Sequence, residues 1–266
     1  MKLTQNTILI TGGTSGLGLR LAQALLRRGN VVIVTSRRQT VIDQAVAANP
    51  GLVGYPVDVA DRQSVQALAD RVRSQHPDLN MVINSAGIMR GVNFFTPQTP
   101  LTAEIETNLI GTANVDWAFL PQLAAAPEAA LINVSSGLGY LPSTAHPLYA
   151  ASKAGVNALT TALRNQAAYW GYRHLHVIQV APPLVAATNL EPTMHANGER
   201  NPLNMDIDAF VAAVLKSIGH NRAVINPGAS RLLAAAGRLA PRWLVARLMR
   251  RTMQTEFPQR SGAAKA

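Results

Sequence analysis

The sequence contains no cysteine among its 266 residues. Disulfides and thiolate metal sites are therefore excluded, and the absence fits a cytoplasmic location. Long apolar runs are missing too, since none approaches the ~18 residues that a membrane span requires, and this predicts a soluble protein. The first residues lead almost directly into a predicted strand, so no signal peptide is expected.

Acidic residues are scarce at one end of the chain. Residues 1–219 contain 15 Lys+Arg and 13 Asp+Glu, whereas residues 220–266 contain nine basic residues and one acidic residue. The net charge of +10 therefore resides mainly in the C-terminal part. A nearly neutral body with a basic tail differs from the spread-out basic face of a nucleic-acid-binding protein, and no nucleic-acid partner is expected.

Short apolar runs alternate with helical patterns along most of the sequence. This alternation predicts βαβ units and a single doubly wound parallel sheet, Rossmann-like, with helices on both faces. We expect residues 1–230 to form this domain and residues 231–266 to form a basic, partly amphipathic extension. Strands are predicted at 6–11, 31–35, 52–57, 81–84, 130–134, 175–181 and 223–225, and helices at 19–28, 39–48, 64–75, 102–120, 149–171 and 208–218.

A glycine cluster follows the first predicted strand. Gly12, Gly16 and Gly18 lie between that strand and the first predicted helix. Glycines at such a turn let a pyrophosphate approach backbone N–H groups, and the helix directs the positive end of its dipole at the same place. The position predicts dinucleotide binding, and a purely structural turn is the alternative.

A tyrosine and a lysine lie four residues apart at the start of the long predicted helix. Tyr149 and Lys153 therefore share one helical face. An ordinary tyrosine, with a pKa of about 10, is a poor acid or base at neutral pH, and a neighbouring ammonium favours the phenolate. The pair suggests proton transfer, and a solvated surface pair is the alternative.

Together these segments resemble the short-chain dehydrogenase/reductase family. Residues 11–18 resemble its cofactor turn, and further motifs occur in the same order along the chain. They are Asp58-Val59, Asn84-Ser85-Ala86-Gly87, Asn108, Asn133-Val134-Ser135-Ser136, Tyr149-x-x-x-Lys153 and Pro182. The resemblance covers about residues 5–225, and the ordered set is more specific than any single motif.

The resemblance implies a catalytic group and a cofactor site. Ser136 would hold a substrate carbonyl oxygen, Tyr149 would deliver the proton, and Lys153 would lower the pKa of the tyrosine and bind the nicotinamide ribose. Asn108 would anchor a water that links Lys153 to solvent. The implied cofactor-binding residues are Gly12, Thr14, Ser15, Gly16, Leu17, Gly18, Ser36, Arg37, Asp58, Val59, Asn84, Ala86, Gly87, Tyr149, Lys153, Pro182 and Val185.

The end of the second strand favours NADP(H) over NAD(H). A carboxylate there would accept hydrogen bonds from the ribose hydroxyls and repel a 2′-phosphate. This sequence has Ser36 and Arg37 instead, and a guanidinium suits a phosphate. Two solvated arginines at a loop are the alternative.

The sequence departs from the family pattern at three places. Ser85 stands where a second asparagine is more common, Pro183 where glycine is usual, and Ala187 where a threonine is expected, with Thr188 next. The Pro-Pro-Leu-Val form of 182–185 resembles a bacterial branch of the family named for teichoic acid D-alanylation, and we carry no function over from that name.

The remaining segments leave alternatives open. Residues 189–204 suggest either an active-site lid or an irregular loop. Met89, Leu138, Leu141 and Leu184 suit either an apolar substrate pocket or the core. His174 and His176 lack a third ligand nearby, so no metal site is predicted.

Past Pro241, a basic amphipathic helix is predicted. It favours packing on the body or on a neighbouring subunit, and attachment to an anionic membrane surface is the alternative.

The resemblance implies an NADPH-dependent oxidoreductase that interconverts a small-molecule carbonyl compound and its alcohol, as a homodimer or homotetramer. Two alternatives stay open. One is a non-catalytic NADP(H)-sensing or scaffold protein, and the other is an epimerase or dehydratase of the same fold.

Overall fold

A computed structural model describes residues 1–95, 101–185, 204–241, 243–247 and 249–250. Within this part of the chain, seven parallel strands form one sheet in the order β3-β2-β1-β4-β5-β6-β7. The predicted doubly wound sheet is therefore confirmed. The strands are β1 Thr7–Thr11, β2 Val31–Ser36, β3 Leu52–Pro56, β4 Leu79–Asn84, β5 Ala129–Val134, β6 Leu175–Val180 and β7 Val224–Ile225.

The helices lie on both faces of this sheet. They are α1 Gly16–Leu26, α2 Gln39–Ala48, α3 Arg62–Gln75, a π-helix Ile105–Ile110 that continues into α4 Gly111–Ala125, a 3₁₀ turn Gly137–Gly139, α5 Pro147–Tyr169, α6 Ile207–Gly219 and α7 Ser230–Leu239. Residues 243–247 and 249–250 are also helical. The sequence predicted neither α7 nor the π-helix.

Alternate residues of each strand supply two separate apolar cores. Ile8 and Ile10 of β1 face a core shared with α1 and α6, whereas Leu9 between them faces a core shared with α3 and α4. A strand directs successive side chains to opposite faces, so a strand covered on both sides must be apolar throughout. This is why β1, β2 and β4 contain the unbroken apolar runs 8–10, 31–34 and 81–83.

The order in which strands are added to the sheet reverses between β1 and β4. The strands before that point add outward to one side, and β5, β6 and β7 add outward to the other. In open parallel sheets, ligands bind beyond the carboxyl ends of the strands at such a switch point. The fold therefore directs attention to the turns that follow β1, β4 and β5.

Candidate active site

Polar residues at the strand ends hold the turns in place. Thr11, Asn84 and Asn133 end or nearly end β1, β4 and β5 and lie side by side in the sheet. The Thr11 Oγ1 atom accepts hydrogen bonds from the backbone N–H groups of Ser85, at 3.2 Å, and Ala86, at 3.3 Å. The turn after β4 is thereby tied to the end of β1.

The glycine turn between β1 and α1 is too tight for side chains at three positions, Gly12, Gly13 and Gly18. A Cβ atom at Gly12, where φ is +64°, would lie 2.8 Å from the Cα of Ala86, and a Cβ at Gly18 would overlap the Gly12 carbonyl oxygen. At Gly16, with φ +50°, nothing lies within 4 Å of the Cβ position. The first turn of a helix offers unpaired N–H groups, so this open edge fits a pyrophosphate.

A cleft of about 320 Å³ opens above this turn. One part of its lining, here called the glycine wall, consists of residues 12, 15–18 and 85–87. A second part, here called the apolar wall, consists of Met89, Leu138, Pro183, Leu184 and Leu233. Ser136, Tyr149 and Lys153 lie on the surface of the same cleft, together with Pro182 and Val185.

The three candidate catalytic side chains lie close together. Ser136 lies near enough to the Tyr149 hydroxyl to act on its pKa as a hydrogen-bonding partner. The Lys153 Nζ atom lies 5.9 Å from the centre of the Tyr149 ring and donates a 2.9 Å hydrogen bond to the Val134 carbonyl oxygen. All three side chains are buried at the base of the cleft.

Burial dominates the electrostatics of this group. It raises the pKa of Tyr149, and the hydrogen bond with Ser136 opposes that effect. Burial also lowers the pKa of Lys153 to about 8. The sequence predicted that the lysine lowers the pKa of the tyrosine. In this geometry desolvation outweighs any such effect, so a lower tyrosine pKa stays a prediction for the complex with cofactor and substrate.

Asn108 is fully buried in the π-helix, and its side chain is occupied by structural contacts. Its Oδ1 atom accepts from the Ile88 N–H at 2.8 Å, and its Nδ2 atom donates to the Ile88 carbonyl oxygen at 2.9 Å and to Ser152 Oγ at 3.0 Å. A Cβ at Gly87 would lie 3.3 Å from Asn108 Oδ1 and 3.4 Å from Lys153 Nζ. Gly87 therefore keeps open the space between these two side chains.

A buried carboxylate lies beneath the glycine wall. Asp116 on α4 accepts hydrogen bonds from Asn84 Nδ2, at 2.7 Å, and from Asn133 Nδ2, at 2.9 Å. Burial raises the pKa of Asp116 to about 7, and its two hydrogen bonds oppose this shift. The ends of β4 and β5 are thus joined to α4 through a single buried carboxyl group, which the sequence did not predict.

Several of the residues predicted to bind the cofactor lie outside the cleft lining. Ser36 and the exposed Arg37 follow one another at the end of β2. Asp58 and Val59 follow β3, where the Asp58 Oδ1 atom accepts from the Ala60 N–H at 3.0 Å. Thr14 is buried within the glycine turn. These residues surround the glycine turn beyond the ends of β1, β2 and β3.

Only some of the residues that the sequence suggested for an apolar pocket line the cleft. Met89, Leu138 and Leu184 line the cleft, whereas Leu141 is buried outside its lining. Ala229 and Leu233, at the start of α7, also line the cleft and were not predicted. The signal for them was the apolar pair at 232–233 with small residues after it, which is typical of a helix that packs closely.

Several predictions involve residues that the structure does not describe. They are the alternative between Ala187 and Thr188, most of the predicted lid at 189–204, and Leu248 in the C-terminal helix. Within the described residues, His174 lies 2.9 Å from the Ala124 carbonyl oxygen, and no group of three or more potential metal ligands occurs. None of the described helices combines the length and apolarity needed to cross a membrane.

The sequence profile of the short chain dehydrogenase family matches residues 6–198. The chain belongs to this family, whose members are oxidoreductases that use a nicotinamide cofactor and small-molecule substrates. The family assignment agrees with the sheet order and with the cleft at the switch point.

Individual relatives agree with this assignment. This chain is 37% identical to an uncharacterized oxidoreductase, DltE, of Bacillus subtilis. The match extends over 188 residues, which are 70% of this chain and 73% of the relative. The chain is also 29% identical to the 3-oxoacyl-(acyl-carrier-protein) reductase FabG of Thermotoga maritima. This match extends over 190 residues, which are 70% of this chain and 76% of the relative.

A solved structure is also similar. It is a short chain dehydrogenase from Burkholderia cenocepacia in complex with NADP, which is 27% identical with a TM-score of 0.79 and covers 94% of this chain and 99% of its own.

Proposed function

We propose that this protein is an NADP(H)-dependent oxidoreductase that interconverts a carbonyl compound and its alcohol. The observation that carries the proposal is the meeting of Ser136, Tyr149 and Lys153 in the lining of one cleft that the glycine turn borders. A bound nicotinamide supplies or removes the hydride at the substrate carbon. The protein contributes position, a proton and charge.

In the reduction direction, Tyr149 donates its phenolic proton to the carbonyl oxygen as negative charge develops there. Ser136 donates a hydrogen bond to the same oxygen and so holds it beside the tyrosine. The Lys153 ammonium stabilises the phenolate that remains. We further propose that the phenolate regains its proton through Lys153 and a water held near Asn108, in the space that Gly87 leaves open. Oxidation of the alcohol runs through the same steps in reverse.

The preference for NADP(H) rests on Ser36 and Arg37. Ser36 ends β2 and Arg37 follows it, and the exposed Arg37 has a guanidinium that suits a 2′-phosphate. The similar Burkholderia cenocepacia protein was solved in complex with NADP, which supports the same preference here. The substrate is a small carbonyl compound or alcohol with an apolar part, because the apolar wall faces the catalytic group.

The Tyr149→Phe variant tests the catalytic role. It removes the proton donor but leaves the ring, so we expect turnover with a carbonyl panel to fall about 10²–10⁴-fold while NADPH affinity changes little. Tyr169→Phe, which alters an exposed tyrosine at the end of the same helix, is the matched control and should behave as the wild type.

The measurement is the amount of NADPH consumed, followed by its absorbance, together with the amount of alcohol formed. One alcohol per NADPH supports the reductase. Product without net NADPH consumption would indicate an epimerase or dehydratase, and full turnover in Tyr149→Phe would refute the mechanism.

A further inference from the structure

Helix α7 and the helical residues after it expose large apolar side chains. Leu232 is 71% exposed, Leu239 83%, Trp243 67% and Leu244 45%. Single exposed apolar residues are common on proteins, but four within so short a stretch indicate a surface that contacts something apolar. The helical residues attach to the body through other positions, because Ala234 and Met249 are buried.

The same surface is strongly basic. Arg231, Arg238, Arg247 and Arg250 are exposed in the same stretch of the chain as the four apolar residues. From Ala209 to Thr255 the sequence contains no acidic residue. These four arginines and the four apolar residues are here called the C-terminal surface.

The C-terminal surface lies next to the cleft. Ala229 and Leu233 line the cleft, while the neighbouring Leu232 points outward to solvent. Close packing holds α7 in this place, since a Cβ atom at Gly137 would lie 2.6 Å from Leu233 Cδ1 and a Cβ at Gly237 would overlap the Tyr140 carbonyl oxygen. One helix therefore forms both part of the apolar wall and part of the exposed surface.

We infer that the C-terminal surface docks the protein on an anionic lipid membrane. Leucine and tryptophan side chains enter the boundary between headgroups and acyl chains, and arginines beside them attract lipid phosphates. The sequence favoured packing of the C-terminal helix on the body or on a neighbouring subunit. In the structure, packing on the body leaves the leucines, Trp243 and the arginines exposed, so this packing does not account for them.

Charge favours lipid over a second copy of the chain. A symmetric contact between two copies would bring like surfaces together and oppose one arginine cluster with another. An anionic membrane presents the opposite charge and an apolar interior at the same place.

Under the proposed function, membrane docking also gives the substrate a route to the cleft. A docked protein would receive amphiphilic carbonyl substrates from the bilayer, through the end of the cleft that Leu233 borders.

Co-sedimentation of the full chain with vesicles tests the inference. Vesicles of phosphatidylcholine with phosphatidylglycerol are compared with vesicles of phosphatidylcholine alone. We expect binding to the anionic vesicles, weakened by added salt because the Debye length is only about 10 Å at 0.1 M and shortens further. In a variant with Trp117→Phe and Trp170→Phe, the emission of Trp243 should shift to shorter wavelength when the anionic vesicles are added.

Matched variants identify the surface. Trp243→Gln should lower binding to the anionic vesicles at least about tenfold, which corresponds to 1.4 kcal/mol. Trp117→Gln alters a tryptophan of similar exposure, 71%, on α4 and should bind as the wild type. Arg238→Gln with Arg250→Gln should weaken binding, whereas Arg27→Gln with Arg28→Gln, exposed arginines at the end of α1, should not.

Three results would overturn the inference. The first is no binding of the wild type to anionic vesicles at low salt. The second is an equal loss of binding in Trp117→Gln and Trp243→Gln. The third is a lower molar mass of Trp243→Gln than of the wild type in solution, when the wild type does not bind vesicles. The last result would assign the surface to a second copy. NADPH affinity measured on the same samples reports the proposed function separately, so either idea can fail alone.

Discussion

The two walls of the cleft are built in different ways. The glycine wall is mostly backbone, held at the ends of β1, β4 and β5 by Thr11 and by the Asp116 hydrogen bonds. The apolar wall is made of side chains from separate segments, including the turn after β5, the segment after β6 and α7. Backbone held by a sheet permits little variation, whereas side chains can be exchanged. The glycine wall therefore suits a ligand that stays the same, and the apolar wall suits a ligand that varies.

The largest expected effect comes from adding a side chain to the glycine wall. In Gly12→Ala the new Cβ overlaps Ala86 and the backbone is strained at φ +64°, so we expect about 1–3 kcal/mol of lost stability and more than about tenfold weaker NADPH binding. Gly29→Ala is the matched control, because φ is +77° there and nothing lies near the Cβ position. The Gly29→Ala variant should lose stability but keep the NADPH affinity of the wild type. Equal NADPH affinity in both variants would contradict the assigned role of the glycine wall.

An intermediate effect is expected from the carboxyl group under the glycine wall. The pKa of Asp116 is raised to about 7 in the folded state, from 3.8, so folding favours its protonated form. Its contribution to stability is complete below about pH 4 and is lost as the pH rises to about 7. Asp116→Asn removes this titration, and the free energy of unfolding should then fall less between these pH values than in the wild type.

Urea denaturation across that pH range measures the effect. Asp43→Asn, which changes an exposed carboxylate on α2, is the control and should keep the pH dependence of the wild type. If Asp116→Asn and the wild type show the same pH dependence, Asp116 does not titrate as described.

The smallest effect is expected in the apolar wall. Leu233→Ala enlarges the cleft beside the catalytic group, so we expect the ratio of kcat/KM between a bulky and a small carbonyl substrate to change by about tenfold. NADPH affinity should stay unchanged, because Leu233 belongs to the other wall. Steady-state kinetics with the two substrates checks this, and a loss of NADPH affinity without a change in selectivity would contradict the division into two walls.

The same contrast explains how much of the site the sequence could predict. Gly12, Gly16 and Gly18, and the pair Tyr149 and Lys153, carry their signal within a few neighbouring residues. Their local structure follows from a strand-to-helix turn and from helical spacing. The structure confirms the sheet and brings these segments to one cleft.

Other features depend on contacts between distant segments. Asp116 reads as an ordinary polar residue of a helix until Asn84 and Asn133 are brought against it. Helix α7 was missed because Gly237 resembles a helix end, whereas in the structure the glycine lets the helix pack against Tyr140. The π-helix around Asn108 depends in the same way on the backbone of Ile88 and on Ser152.

Nicotinamide fluorescence during titration of the purified protein with NADPH, and separately with NADH, tests the central claim most directly. We expect much tighter binding of NADPH, weakened at least about tenfold by Arg37→Ala while NADH binding is unaffected. Arg38→Ala, an exposed neighbour, is the control and should leave the preference intact. Equal affinity for the two cofactors would contradict the NADP(H) assignment, and binding of neither would contradict the proposed oxidoreductase function.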